Sequence, residues 1–205
     1  MSGIAVGTVV TFGRWIHCDN TWTRTPIDWI VMETDGQVAT LISLHGLETK
    51  AYDDDRRDVT RETCTLRAWL NGHFLNAAFT DEEQTRLEVM TVAAGVNPEC
   101  DTDPGPDTLD RVTLPGIDEA ERWFASDDER ICLATDRALT YNRHVWNAAD
   151  GRSNECAWWL RSLGDCPRRA GVVSDWGDII SDGWDVNSDE VLVRPVIALR
   201  HEWLS

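Results

Sequence analysis

Trp158-Trp159-Leu160-Arg161-Ser162 and Val193-Arg194-Pro195 bracket the most informative stretch of the chain. Between these two apolar, Arg-bearing anchors run Ser174-Asp175-Trp176-Gly177-Asp178 and Ser181-Asp182-Gly183-Trp184-Asp185. Small polar residues adapt their hydrogen bonds and tryptophans supply large rigid contact area, so this composition reads as a recognition surface held between fixed strands. The residues expected to carry ligand contacts are Asp165, Arg168, Arg169, Ser174, Trp176, Asp178, Ser181, Asp182, Trp184, Asp185, Asn187 and Asp189. The competing reading is an ordinary solvated hairpin face, and Ile180 fits either a contact or a core position. Arg161 and Arg194 read as structural: a guanidinium among tryptophans stacks on a ring and pairs with a carboxylate. Trp158 and Trp159 are expected to divide between the core and a half-buried layer.

Outward from this stretch, the N-terminal third reads as strands at residues 8–15, 27–34 and 37–44, rich in Val, Ile, Thr and Trp. Thr34-Asp35-Gly36-Gln37 carries the Asp-Gly signal of a tight hairpin. Residues 50–61 are charged and loop-like. Leu66, Trp69, Leu70 and Phe74 then fall at helical spacing over 63–74, and Asn71-Gly72 loosens, ends or is tolerated within that helix. Thr80-Asp81-Glu82-Glu83 is an N-cap with acids in the first turn, which predicts a second helix to about residue 88. Residues 95–106 form a loop on composition, and 117–124 a short helix. Strands are expected at 170–174, 178–181 and 191–199. Strands at both ends, helices between them and no parallel βαβ repetition make residues 1–205 one α+β domain.

The chain has 205 residues, enough for one substantial core, and eleven tryptophans to fill it. A formal charge of −17 opposes a nucleic-acid partner, since phosphate contacts need a cationic footprint. No apolar run approaches the roughly 20 residues of a membrane span, and no secretory h-region follows Met1. The expectation is cytoplasmic synthesis, with display on a virion or through a partner left open.

Catalytic and metal signals are thin. The histidines (His17, His45, His73, His144, His201) lack paired spacing, and there is no Gly-x-Ser-x-Gly elbow or phosphate-cradling loop. Asp101, Asp103 and Asp107 around Gly105 faintly resemble a calcium loop, but Val112 stands where the bidentate Glu belongs. The six cysteines form no C-x-x-C pair, and only Cys156 and Cys166 are close in sequence. The reading is a non-enzymatic protein with no cofactor and no metal.

Several segments in order resemble a family of bacterial and phage domains catalogued as a domain of unknown function. They are Pro26-Ile27-Asp28-Trp29, Leu41-Ile42-Ser43, residues 65–71 (Thr-Leu-Arg-Ala-Trp-Leu-Asn) and 74–79 (Phe-Leu-Asn-Ala-Ala-Phe). Asp110-Arg111-Val112, Asp118-Glu119-Ala120 and the two anchors complete the set. The resemblance covers residues 7–199. It implies a C-type-lectin-like fold, similar in outline to the formylglycine-generating-enzyme domain, with two helices, short antiparallel strands and a loop-rich C-terminal half. Some members are variable proteins of diversity-generating retroelements, in which a reverse transcriptase rewrites one gene segment at template adenines.

By that resemblance the diversified, ligand-binding segment lies within 157–199. Residues 165–189 contain Asp, Ser, Arg, Ile and Asn but no Lys, Gln, Glu or Met, which fits mutated Asn codons. Trp176 and Trp184 do not; they are fixed or come from another adenine-bearing codon. Calcium-type lectins carry Trp-Asn-Asp, whereas this chain has Trp146-Asn147-Ala148, so a protein or peptide ligand is expected rather than sugar on calcium. Two alternatives remain: an invariant phage or cell-surface accessory binding domain, and a formylglycine-generating-type oxidase using Cys156 and Cys166. The sequence does not give the oligomeric state.

Overall fold

The computed structural model describes residues 4–18, 23–141 and 154–204. Two five-stranded sheets carry the fold. The first runs β1 (Val9–Ile16), β2 (Arg24–Thr34), β3 (Val38–Ser43), then β12 (Val196–Arg200) and β7 (Val112–Thr113), every neighbour antiparallel. The second runs β10 (Ile179–Asp185), β9 (Arg169–Val173), β8 (Trp158–Leu163), β11 (Leu192–Val193) and β4 (Glu48–Thr49). A two-stranded ribbon pairs β5 (Met90–Val92) with β6 (Thr108–Asp110). Helices and antiparallel sheets together make the α+β class; one parallel pairing, Leu192 opposite Trp158, joins β11 to β8.

The Asp-Gly hairpin between β2 and β3 forms as its chemistry requires. Gly36 takes a positive φ, and the Asp35 carboxylate accepts from the Gln37 and Val38 amides at 2.8 and 2.7 Å. These backbone hydrogen bonds hold the Asp35 carboxyl below its ordinary range. Thr80, the predicted N-cap, caps α3 (Asp81–Arg86) through a reciprocal pair with Glu83, a capping box.

The helix predicted over 63–74 does not stop at Asn71-Gly72. It runs from α1 (Thr65–Trp69) through a π-helical turn (Leu70–Phe74) into α2 (Leu75–Ala78). Asn71 explains the continuity. Its side chain accepts from the Arg111 and Val112 amides and donates to the Val112 carbonyl at 2.8 Å, tying the widened turn to the start of β7.

Residues 191–199, read as a single strand, are two. Pro195 lacks an N–H and cannot continue a ladder, so the chain leaves the second sheet after β11 and enters the first as β12. The 3–4 connection makes the same crossing beside it, with Leu47 N bonded to Val193 O (3.0 Å) and Ser43 N to Pro195 O (2.9 Å).

Among the described residues, four further α-helices follow the first two. They are the capped α3, α4 (Ile117–Trp123), α5 (Asp127–Arg130) and α6 (Asp136–Tyr141). The sequence reading of two main helices and one short one missed α5 and α6, because four to six residues carry no measurable periodicity.

Buried Trp29, Trp158 and Trp159 anchor two apolar clusters, and each indole N–H has a carbonyl partner: Phe12 (2.7 Å), Arg130 (3.0 Å) and Lys50 (2.8 Å). Both anchor tryptophans are fully buried, so neither belongs to a half-buried layer.

Candidate functional site

β10 is an edge strand, and it is the one strand of the anchor-to-anchor stretch with a mixed rather than buried profile. Its pairing with β9 slips between Ile180 and Trp184, where Gly183 adopts φ +76° and lies against the Ala170 backbone. Such a bulge twists an edge away from unwanted strand addition and re-aims the side chains after it.

All the predicted contact residues but Ser181 separate into two groups at opposite ends of the β9–β10 hairpin, about 15 Å apart for strands of this length. Asp165, Arg168, Arg169, Asp182, Trp184, Asp185, Asn187 and Asp189 gather at the open end. Asp165 N bonds to Asp182 O (3.0 Å), and Val186 N to Arg168 O (2.9 Å). A surface cleft of about 360 Å³ there is lined by Arg169, Gly183, Trp184, Asp185, Ser188 and Glu190.

Trp176 and Asp178 sit at the other end, in the turn between the strands. Trp176 is 58% exposed. Ser174 is corrected from contact residue to turn residue: it is buried, and its hydroxyl oxygen accepts from the Trp176 and Asp178 amides at 3.1 and 3.2 Å. Below this turn, Arg130 Nε donates to Gly177 O (2.8 Å), and Gly177 takes φ +86° with no room for a Cβ against the Asp127 carbonyl. Gly177→Ala is therefore expected to cost about 2–3 kcal/mol, through left-handed backbone strain and overlap with α5. A urea unfolding midpoint checks it.

Ser181 lies mid-strand, with its hydroxyl directed to Glu99. That contact belongs to a feature the sequence did not show. The loop after β5 reads as free surface, yet Asn97 is buried, and its amide donates to Leu163 O (2.8 Å) and Ser181 O (2.7 Å). Asn97 thus links β8 and β10 across β9, beside the register slips of both ladders, and Thr102 adds a bond to Gly164 O at 2.7 Å. A buried Asn in a Gly/Pro/Asp-rich loop gives no periodic signal by which to find it.

The electrostatics of the open end are strongly paired. Arg168 meets Asp58 (2.7 Å), Arg169 meets Asp165 (3.2 Å) and Asp185 (3.8 Å), and Arg56 meets Asp185 (3.2 Å). The charged 50–61 loop supplies Arg56 and Asp58, and its backbone is laced to the stretch through Asp53 N to Val186 O (2.8 Å). These pairs are more than a third exposed, so each is worth little by itself, but together they neutralise the arginines and leave the face acidic.

The anchors lie beneath. Arg161, 3% exposed, donates from Nε to Ala93 O (3.0 Å) and from Nη1 to Leu114 O (3.1 Å), and it pairs with Glu119. Arg194 donates from Nε to Ser43 O (3.0 Å) and stacks over the Trp158 and Phe124 rings at 5.1 and 5.2 Å. Burial lowers its guanidinium below the ordinary arginine value.

Cys156 and Cys166 do not meet. The whole of β8 lies between them, which places them about 20 Å apart. All six cysteines are free thiols. Among the described residues no cluster of His, Cys, Asp or Glu is arranged to hold a metal ion, and no helix is long and apolar enough to cross a membrane. Trp146-Asn147-Ala148 and His144 fall outside the described residues. A larger hollow of about 530 Å³ beside the β2–β3 hairpin, lined by Val6, Met32 and Glu33 among others, contains none of the predicted contact residues. Glu33 there is engaged by Arg122 (2.7 Å) and the Trp123 N–H (2.7 Å).

Interlocking buried and half-buried groups thus join the segments that carried the resemblance. Arg67 and Asn71 reach Asp110-Arg111-Val112, Arg161 reaches Glu119, and Arg194 reaches Ser43. The chain matches no curated protein and no solved structure. A family model described as Domain of unknown function (DUF6273) matches residues 28–201, and with more than half its length covered the chain belongs to that family.

Proposed function

We propose that this is a non-enzymatic binding protein of C-type-lectin-like outline, the variable protein of a diversity-generating retroelement, whose ligand face is the β9–β10 hairpin and its two ends. One observation carries the reading. Both anchors are buried, Arg161 in a polar network and Arg194 between the Trp158 and Phe124 rings, while Asp165, Arg168, Trp176, Asp178, Asp182, Asn187 and Asp189 between them are exposed on an edge strand and its loops. Substitution at such positions is nearly neutral for stability, which a rewritten segment requires. The helices, short antiparallel strands and loop-rich C-terminal half support the lectin-like outline. The acidic balance of the face favours a protein or peptide ligand presenting cationic groups.

The gene from sibling strains tests this. Differences should cluster within 165–189 at the exposed positions, with Ser174, Gly177 and Gly183 unchanged because the turn and bulge depend on them. Identical sequence across siblings in that window rejects diversification. One observation favours the second reading, an invariant accessory binding domain: Arg168 and Asp185 pair with Asp58 and Arg56, which lie outside the segment.

The two tryptophans of the face are expected to behave differently. Trp176→Ala should leave the unfolding free energy within about 0.5 kcal/mol of wild type. Trp184 is half-buried against the larger apolar cluster, so Trp184→Ala should cost about 1–2 kcal/mol. Denaturant titration of both variants checks the contrast.

A further inference from the structure

Residues 132–134 lie antiparallel to 154–156. Leu133 is opposite Glu155, Ala134 N donates to Asn154 O (2.8 Å), and Cys156 N donates to Cys132 O (3.2 Å). This register sets Cys132 directly across from Cys156. Directly opposed residues send their side chains to the same face, and both enter the apolar cluster that holds Trp158, Leu192 and Val196. One ladder hydrogen bond joins the two residues, and directly opposed antiparallel residues have α-carbons about 4.5–5.5 Å apart, inside the roughly 4.4–6.8 Å that a disulfide spans.

We propose that Cys132 and Cys156 are a redox-active dithiol that closes to an intramolecular disulfide, with a low-molecular-weight disulfide as oxidant. Cys156 is the more exposed of the two, 6% against 1%, and reacts first. Its thiolate attacks one sulfur of the oxidant, forming a mixed disulfide and releasing one thiol. The Cys132 thiolate then attacks the Cys156 sulfur and displaces the second. Two protein thiols and one small disulfide become one protein disulfide and two small thiols, which carry away both protons.

The surroundings make this pair slow, and selective for alkaline conditions. Burial pushes the Cys156 thiol up to about 11, with the Cys132 thiol, Asp175 and Glu155 adding to the rise. Burial raises Cys132 as well, opposed by the Arg194 guanidinium facing it. Below these values the thiolate fraction, and hence the closure rate, rises about tenfold per pH unit. The pair also sits under the exposed Trp176 turn, since Arg130, two residues before Cys132, holds Gly177 O. Oxidation therefore stiffens the support of that turn.

The test uses the full-length reduced protein incubated with oxidised glutathione at pH 7, 8 and 9, followed by alkylation and non-reducing tryptic mapping. The expected product links peptides 131–137 and 153–161 and is two hydrogens lighter than their sum. It accumulates faster at each higher pH and is absent in Cys132→Ala and Cys156→Ala. The oxidised wild type should melt about 5–10 °C higher, because the bridge closes a 25-residue loop in the unfolded chain. Glutathione found only on Cys18, Cys100 or Cys166, with Cys132 and Cys156 both alkylated after denaturation, overturns the proposal. So does a Cys156–Cys166 link.

Discussion

Asp110→Ala is expected to destabilise the fold by about 3–5 kcal/mol, a drop of about 10 °C in melting midpoint, with no change in the chemistry of the hairpin face. Asp110 is buried at the end of β6 and serves two arginines. Arg61, itself 1% exposed, bonds to its Oδ2 at 3.1 Å, and Arg67 Nε bonds to its Oδ1 at 2.9 Å. Thr108 also donates to Oδ2 (2.6 Å), and Thr113 accepts from Arg61 (2.9 Å). Removing the carboxylate leaves the Arg61 guanidinium charged, enclosed and without its anion. That desolvated charge dominates the cost, so the loss should shrink when Arg61 is removed in the same chain. A double-mutant cycle of Asp110→Ala with Arg61→Met, read by denaturant unfolding, should show the two changes costing less together than their sum.

Arg161→Ala should have a comparable cost, about 3–5 kcal/mol, for a different geometric reason. Its planar fork reaches the Ala93 and Leu114 carbonyls and the Glu119 carboxylate at once, joining the loop after β5, the turn before α4 and β8. Gly95 and Gly116 leave their side-chain space to this guanidinium. A lysine is a point charge and cannot serve three acceptors in one plane, so Arg161→Lys should recover less than half of the loss. Thermal unfolding of both variants beside wild type measures the difference. A Lys variant as stable as wild type would reduce Arg161 to a simple charge partner of Glu119.

Local chemistry made much of the first sheet readable. Alternating Val, Ile and Trp, the Asp35-Gly36 turn and the Thr80 cap are decided within a few residues, so strands, hairpin and helix start appear in sequence order. The sheet crossing at Arg194-Pro195 was not readable, because the run from Val191 to Leu199 has the same apolar character on both sides of the break. Only tertiary pairing shows that Leu192 faces Thr49 while Val196 faces Ile42.

At the candidate face, residue type pointed to Trp176 and the aspartates, but three outcomes depend on partners that residue type does not reveal, two of them distant in sequence. Ser174 is consumed by its own turn, Asn97 enters from a loop 84 residues before the Ser181 it binds, and Arg168 is paired by Asp58. Cys132 and Cys156, 24 positions apart, become neighbours only through strand register, whereas the sequence-adjacent Cys156 and Cys166 are separated by the strand between them.

The measurement that bears most directly on the central claim is the DNA sequence flanking this gene. If the hairpin between the buried anchors is a rewritten ligand face, a near-copy of the codons for residues 158–195 lies beside a reverse-transcriptase gene. It differs from the gene only where the copy has adenine, at codons for exposed residues such as Asp165, Asp178, Asp182 and Asn187. Flanking DNA with no such copy, or a copy whose differences fall on the codons of Trp158, Arg161 or Arg194, contradicts it.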